Sequence, residues 1–229
     1  LKAIFESILG ECPYKSPTDM GVNMVGYAIA DDSVCQQAAK QEIIRRYFQT
    51  AGSVKRGLAP KEELYKQELL MKKAGVTPED RLVVTKAFEK QEMTGAPAMA
   101  IELRDGRVVT GKTSELLGPA SAALMNALKL AAGLPEDEDL VAAAAIEPIQ
   151  TLKTRYLGGH NPRLHSDETL IALSMSASRS EHARLAMEQL PALEGAQAHS
   201  TVLMSSVDET LYRKLGIQLS CSPETEAKH

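Results

Sequence analysis

Pro97-Ala98-Met99-Ala100-Ile101-Glu102-Leu103-Arg104-Asp105-Gly106-Arg107-Val108-Val109-Thr110-Gly111-Lys112-Thr113 is the stretch in which the hydrophobic period moves from 3.6 towards 2. Two short runs, 97–103 and 107–111, flank Asp105-Gly106, a two-residue turn signal, and the segment reads as a β-hairpin. The same residues also satisfy a phosphate-loop spacing, Gly-x-x-x-x-Gly-Lys-Thr, from Gly106 to Thr113. Such a loop needs small, flexible residues between its glycines, because consecutive backbone N–H groups must curl round an anion. Val108, Val109 and Thr110 are instead β-branched, stiff and suited to a strand. Gly106 belongs to the turn, not to a strand-to-loop exit, and the nucleotide-loop reading is set aside.

A local possibility remains. Gly111-Lys112-Thr113-Ser114 precedes an Ala- and Leu-rich helix expected over 114–132, where Thr113 or Ser114 can cap the first turn. Free N–H groups and Lys112 would converge there on a phosphate or carboxylate. The competing reading is a capped helix with a solvated lysine. Upstream, Ser33-Val34-Cys35-Gln36 is a capping box for a helix to about Ala51, and Pro60 opens another that runs to Ala74 and stops at Gly75. Thr77-Pro78-Glu79-Asp80 starts a third, with Leu82, Val83, Ala87 and Phe88 inward. Downstream, Glu147-Pro148 begins a helix to about Tyr156. Leu170 to Ala177 alternates Ile171, Leu173, Met175 and Ala177 and reads as a strand, with a helix capped by Ser166 as competitor. Then follow a helix over 180–190, a strand over 198–205, a helix over 206–215 opened by the box Ser206-Val207-Asp208-Glu209, and a strand over 217–221. The expected fold class is α+β (mixed α/β): a mainly helical region over 1–95, then an α/β region over 96–229 made of the hairpin, a central apolar helix and a βαβαβ-like end.

Composition narrows the function classes. A net charge of −4, no Trp and 4% aromatic residues leave neither a basic stripe nor a stacking platform for nucleic acid. No apolar run approaches a membrane span, and Leu1-Lys2-Ala3-Ile4-Phe5 lacks the build of a signal peptide, so a cytoplasmic location is expected. Cys12, Cys35 and Cys221 form no Cys-x-x-Cys pair and suit reduced thiols better than a disulfide framework or a zinc ribbon; no metal site is expected. Leu1 lies inside an amphipathic pattern with Ile4, Phe5, Ile8 and Leu9, so the chain is expected to begin within a longer protein.

Three polar clusters fall outside periodic faces. Tyr14, Lys15, Ser16, Thr18, Asp19 and Asn23 form the first, Asn161, Arg163, His165, Asp167 and Glu168 the second, and His199, Ser200 and Thr201 the third. The second combines a rigid turn, a guanidinium suited to carboxylate or phosphate, and an imidazole that titrates near neutrality. A plain Asn-Pro turn followed by an acidic helix start uses the same residue types. His199 and Ser200 are strand neighbours on opposite faces and cannot form a dyad with each other. The sequence lacks Gly-x-Ser-x-Gly and His-Glu-x-x-His, so a peptidase reading would need a serine from another segment near His165 or His199.

The blocks Ser16 to Met24, Gln41 to Tyr47, Thr110 to Ser114, Asn161 to His165 and Ala198 to Val202 together resemble the carboxy-terminal half of a bacterial family of unknown function, some of whose members are labelled ATP-dependent peptidases. The resemblance covers nearly the whole chain. It implies a preceding half similar to nucleotide-binding α/β proteins, with a glycine-rich, lysine-containing loop of its own. The resulting expectation is the substrate side of an enzyme whose ATP or other phosphate ligand is held by that other half. Asp19, His165 and His199 are the proton-transfer candidates. Ser16, Thr18, Asn23, Lys112, Thr113, Ser114, Asn161, Arg163 and Ser200 are the candidates for binding anion or substrate. The rival is a structural module that assembles a homo-oligomer. Asp19, Lys112, His165 and His199 in one cleft would favour the first; scattered polar turns beside exposed apolar helix faces would favour the second.

Overall fold

In the computed structural model, which describes residues 7–10 and 32–225, the hairpin forms half of a four-stranded sheet. Strands β1 (Ala98–Glu102) and β2 (Val108–Lys112) pair antiparallel; β1 pairs antiparallel with β3 (Gln197–Ser200), and β3 runs parallel to β4 (Gln218–Cys221), in the order β2-β1-β3-β4. Eight α-helices are described: α1 (Asp32–Lys55), α2 (Lys61–Ala74), α3 (Leu82–Thr94), α4 (Pro119–Ala132), α5 (Ala143–Thr151), α6 (Ser166–Ser176), α7 (Glu181–Met187) and α8 (Ser206–Lys214). The fold is mixed α+β, and the parallel β3-α8-β4 unit at its end is one crossover rather than the expected longer alternation.

Alternation along β1 sends its side chains to two helical layers. Met99 and Ile101, both fully buried, join Ala123, Leu124, Ala127 and Leu128 of α4 in the main core. Ala100 turns to the other face and meets Val83 and Ala87 of α3. Alanines at 98 and 100 let α3 lie close to the sheet, while larger side chains fill the α4 side. Each leucine fully buried in this way stabilises by roughly 1.5–3 kcal/mol. A separate cluster of Ile44, Phe48, Met71, Val76 and Val84 joins α1 and α2 to the start of α3.

The two glycines of the phosphate-loop spacing have unrelated jobs. Gly106, at φ +82°, is the hairpin turn. Gly111 lies under α4, where a Cβ would stand 2.1 Å from the Ala123 nitrogen, so it permits helix and strand to touch backbone to backbone. Helix α4 does not begin at 114. It starts at Pro119 with Gly118 as its cap, and Ser114 instead closes a turn onto Leu117. Thr113 and Ser114 therefore do not cap it.

Residues 170–177 also differ from the alternation reading, because they lie in α6 and its end. Ser166, Thr169, Ala172 and Leu173 are buried at helical spacing, whereas Ile171 and Met175 are 58% and 68% exposed. The apparent period of 2 arose because the exposed face is itself apolar. In α3, Leu82 and Phe88 are 42% and 40% exposed, and burial falls on Val83, Val84 and Ala87. The cap of α8 is Ser205, whose hydroxyl accepts from the Asp208 N–H, one residue earlier than the expected Ser206. No described helix is long and apolar enough to cross a membrane.

Candidate functional site

Three helix starts meet beside the Asn161–His165 turn. Helix α4 contributes Gly118, Pro119, Ala120 and Ser121, α6 begins immediately after His165, and α8 brings Ser205 and Asp208. Between them is a cleft of about 190 Å³, also lined by Asn161, Arg163, Leu164 and the segment Val202–Met204. The turn is tied down on every side. Asn161 Oδ1 accepts the Arg163 N–H at 3.1 Å, and the Leu164 N–H donates to the Leu116 carbonyl while Leu164 O accepts from the Ser121 hydroxyl at 2.9 Å. After α5 the backbone widens into a π turn, Leu152–Tyr156, which directs Lys153 Nζ to the Arg163 carbonyl at 2.7 Å and to Glu168 Oε2 at 2.8 Å. That Glu168 oxygen also accepts the His165 N–H.

Asp208 is the electrostatic centre. Its Oδ2 faces His165 Nδ1 at 3.1 Å and accepts from the Ser205 hydroxyl at 2.7 Å, while Oδ1 accepts the Ser166 N–H at 2.8 Å. Burial opposes its ionisation, yet these hydrogen bonds prevail and hold the carboxyl down at about 2. The same contact raises the His165 pKa above its ordinary value, against the opposing effect of burial. Nδ1 must carry a proton to face a carboxylate. Nε2 is thereby the ring nitrogen without a protein partner among the described residues, and the imidazole is oriented as a proton donor.

Asp208 accepts the first N–H of α6, while the Ser205 hydroxyl caps α8 by accepting the Asp208 N–H. The start of α4 is different. No side chain caps it, and the Ala120 and Ser121 N–H groups have no acceptor among the described residues, although both residues are almost wholly buried. Pro119 at the first position removes a third donor and presets the backbone. Arg163 borders the same opening, its Nε–H held by the Ser114 carbonyl at 2.8 Å. Two N–H groups, a guanidinium and an oriented imidazole thus edge one cleft, a donor set suited to an anion.

The other expected residues lie elsewhere. Ser16, Thr18, Asp19 and Asn23 fall outside the described residues. Lys112 is exposed at the end of edge strand β2, Thr113 is buried behind it, and neither borders the cleft; Ser114 reaches it through its carbonyl on Arg163. His199 is fully buried on the α1/α3 side of the sheet, against the rings of Phe48 at 4.5 Å and Phe88 at 6.0 Å. Ser200 is also buried, and its hydroxyl donates to the Val202 carbonyl. Of the four residues expected to share one cleft, Lys112, His165 and His199 stand apart, and Asp19 lies outside the described residues.

Both histidines have serines nearby, Ser205 at His165 and the buried Ser220 and Ser222 at His199, and none of the three is an open nucleophile. Ser205 gives its proton to Asp208. At His199, the Ser220 hydroxyl donates to the Ala198 carbonyl and accepts from Arg81 Nε at 3.2 Å and His199 Nδ1 at 2.9 Å; Nε2 then accepts from Ser222 at 3.1 Å. Burial, with the nearby Arg81 charge, pushes His199 down to about 3 and keeps it neutral. Cys221 is buried too, and its thiol is pushed up to about 12. A larger groove of about 810 Å³ lies away from the cleft, beside α1 and Arg81. There Glu42 binds Arg45 and Arg46, Arg81 is held by carbonyl and side-chain oxygens, and Glu102 and Arg104 also border the groove. The smaller cleft is the one bordered by Asn161, Arg163 and His165. Among the described residues, no group of three or more His, Cys, Asp or Glu is arranged to hold a metal.

Residues 79–229 match the description "Domain of unknown function DUF1846, C-terminal", and residues 1–75 match "Domain of unknown function DUF1846, N-terminal". This chain belongs to the DUF1846 family. Among similar DUF1846 relatives, a UPF0371 protein of Corynebacterium glutamicum is 52% identical over 228 residues, covering 100% of this chain and 46% of the relative. A UPF0371 protein of Streptococcus thermophilus is 52% identical over 223 residues, 97% of this chain and 45% of the relative. The chain spans about half the length of the curated relatives it matches. The match takes in both DUF1846 descriptions, not a carboxy-terminal one alone. All the residues that border the cleft lie within the C-terminal match.

Sequence reasoning singled out Asn161, Arg163 and His165, and these do come together. It missed Ser205, Asp208 and the α4 start. The Ser-x-x-Asp cap of α8 reads as local structure, and only the tertiary fold turns that carboxylate towards His165. Gly118-Pro119 carries the usual signature of a helix beginning, which by itself names no ligand.

Proposed function

We propose that the chain provides the substrate side of an enzyme dependent on a nucleotide or other phosphate ligand, with the Arg163–His165 cleft binding an anionic group of the substrate. The single observation that carries the reading is the uncapped α4 start facing Arg163 and an imidazole fixed by Asp208. In this role the Ala120 and Ser121 N–H groups and Arg163 hold the anion, and His165 delivers or removes a proton through Nε2. Asp208 and Ser205 are positioning residues. The phosphate ligand would be bound by family sequence beyond the half that this chain covers.

A thermal-shift screen of a full-length DUF1846 relative against nucleotides and small anions tests the reading. Selective binding at a hundredfold excess over Kd stabilises the native state by about 2.7 kcal/mol and raises the midpoint. A His165→Gln variant should keep the shift and lose turnover. No shift with any nucleotide or anion would remove the proposal.

A second reading, a homo-oligomeric structural module, is favoured by one observation. Leu152, Tyr156 and Leu157 are 50%, 68% and 73% exposed on neighbouring turns. Sedimentation equilibrium decides it: a concentration-dependent dimer that Tyr156→Glu dissociates supports assembly, and a monomer at all concentrations opposes it.

A further inference from the structure

The wall of the cleft that carries Ser205 belongs to no strand or helix, and it is fastened from outside. Residues 202–205 lie between β3 and α8. The Ser200 hydroxyl donates to the Val202 carbonyl at 2.8 Å, and the Leu203 N–H donates to the Glu224 carbonyl at 2.7 Å. A third fastening comes from the residue after α1: Arg56 Nη2 donates to the Met204 carbonyl at 3.0 Å and to Glu209 Oε1 at 2.5 Å. Met204 precedes Ser205 and Glu209 follows Asp208, so one guanidinium nitrogen pins both flanks of the cap that faces His165.

We infer that Arg56 is a positioning residue for the cleft, coupling α1 to the orientation of His165 through the Ser205–Asp208 cap. This coupling rests on the cleft reading above for its purpose, not for its geometry.

Nη2 bears two N–H groups in the fixed plane of the guanidinium. With one bond on each flank, neither the Met204–Ser205 peptide nor the first turn of α8 can rotate without losing one of them. That peptide leads directly to Ser205, whose hydroxyl donates to Asp208 Oδ2, itself 3.1 Å from His165 Nδ1. The path from Arg56 to the ring is thus continuous. Gly52, one turn before Arg56, brings α1 against the same segment, since a Cβ there would stand 3.2 Å from Leu203 Cδ2. The Arg56 and Glu209 side chains are each 33% exposed, so their ion pair contributes little to overall stability and its effect falls on position. Helix α1 lies in the region that matches the N-terminal DUF1846 description and the cleft in the C-terminal one, so a displacement of α1 would reach His165 across that boundary.

NMR titration of the His165 ring in the parent chain, Arg56→Met and Arg56→Lys tests the coupling without any ligand. Two effects of Arg56→Met differ in sign. Loss of a nearby positive charge would raise the ring pKa, whereas a loosened Asp208 lowers it. The ring pKa should fall by about 0.5 in Arg56→Met, with the Ser205 and Asp208 amides shifted, and Arg56→Lys should recover part of the fall. Should Arg56→Met not fold, Arg56→Gln takes its place with the same outcomes. A ring pKa that is unchanged or raised overturns the coupling and leaves the cleft reading in place. A fall supports the coupling even where the anion screen fails, so the two failures are separable.

Discussion

His165 is oriented by Asp208, a residue 43 positions away that no local pattern connects to it. Removing the carboxylate as Asp208→Asn should lower the His165 pKa, and an NMR titration of the ring reads the change directly. The linkage has two windows. The raised His165 value adds stability that is present below about 6.5 and is lost as pH rises through its folded pKa. The depressed Asp208 value adds roughly 2 kcal/mol above 3.8, lost as pH falls towards 2. His199 acts in the opposite sense to His165. It stays neutral down to about 3 in the fold but takes a proton near 6.5 once unfolded, so stability should decline as pH drops through that interval. Urea midpoints for the parent and a His199→Phe variant should converge as the pH is lowered. Near neutrality the variant should be the weaker by about 1–3 kcal/mol, since Ser222 loses its buried acceptor. At this scale the sequence displayed the Asn-Pro-Arg turn and its histidine, because polar residues outside a periodic face are visible. It could not tell buried His199 from half-exposed His165, since that difference is made by Phe48, Phe88 and the sheet.

Among the elements, the hairpin was legible because turn chemistry and strand alternation agree there. The helix over 166–176 was not, since apolar Ile171 and Met175 on its outer face imitate the period of a strand. Gly111 is the sharpest test of how the layers pack. Its α carbon sits against the α4 backbone, and Gly111→Ala places a methyl where Ala122 and Ala123 already are. Overpacking of this kind costs about 3 kcal/mol, because backbone atoms cannot rotate away as a side chain can. A thermal-denaturation midpoint close to that of the parent would show that α4 does not lie so near the sheet. The same substitution should also disturb the cleft, whose open N–H groups stand at the other end of α4's first turns.

Across the whole molecule, Arg81 joins the helical segment to the sheet. It is 1% exposed and has no carboxylate in contact among the described residues; its guanidinium donates to Gln197 Oε1 at 2.6 Å, the Gln218 carbonyl at 2.6 Å and the Ala198 carbonyl at 3.3 Å. Burial pulls its pKa down to about 10, so it remains charged at neutral pH. Arg81→Met strips donors from two strands and should destabilise by about 2–3 kcal/mol, with faster amide exchange at Ser220 and Ser222. Unchanged exchange there would show that β4 holds without the arginine. The α+β class could be read from the sequence, since the hairpin and most helices carry their own start and stop signals, the helix over 166–176 excepted. The meeting of three helix starts could not, because it depends on how layers stack rather than on any one segment.

The most direct measurement is a ¹H–¹⁵N correlation spectrum of the chain during separate titrations with acetate and inorganic phosphate. The account expects the Ala120 and Ser121 amides and the His165 ring to shift together and saturate at one ligand per chain. Saturation that leaves those two amides unmoved, or no saturable shift at all, would contradict an anion site at the start of α4.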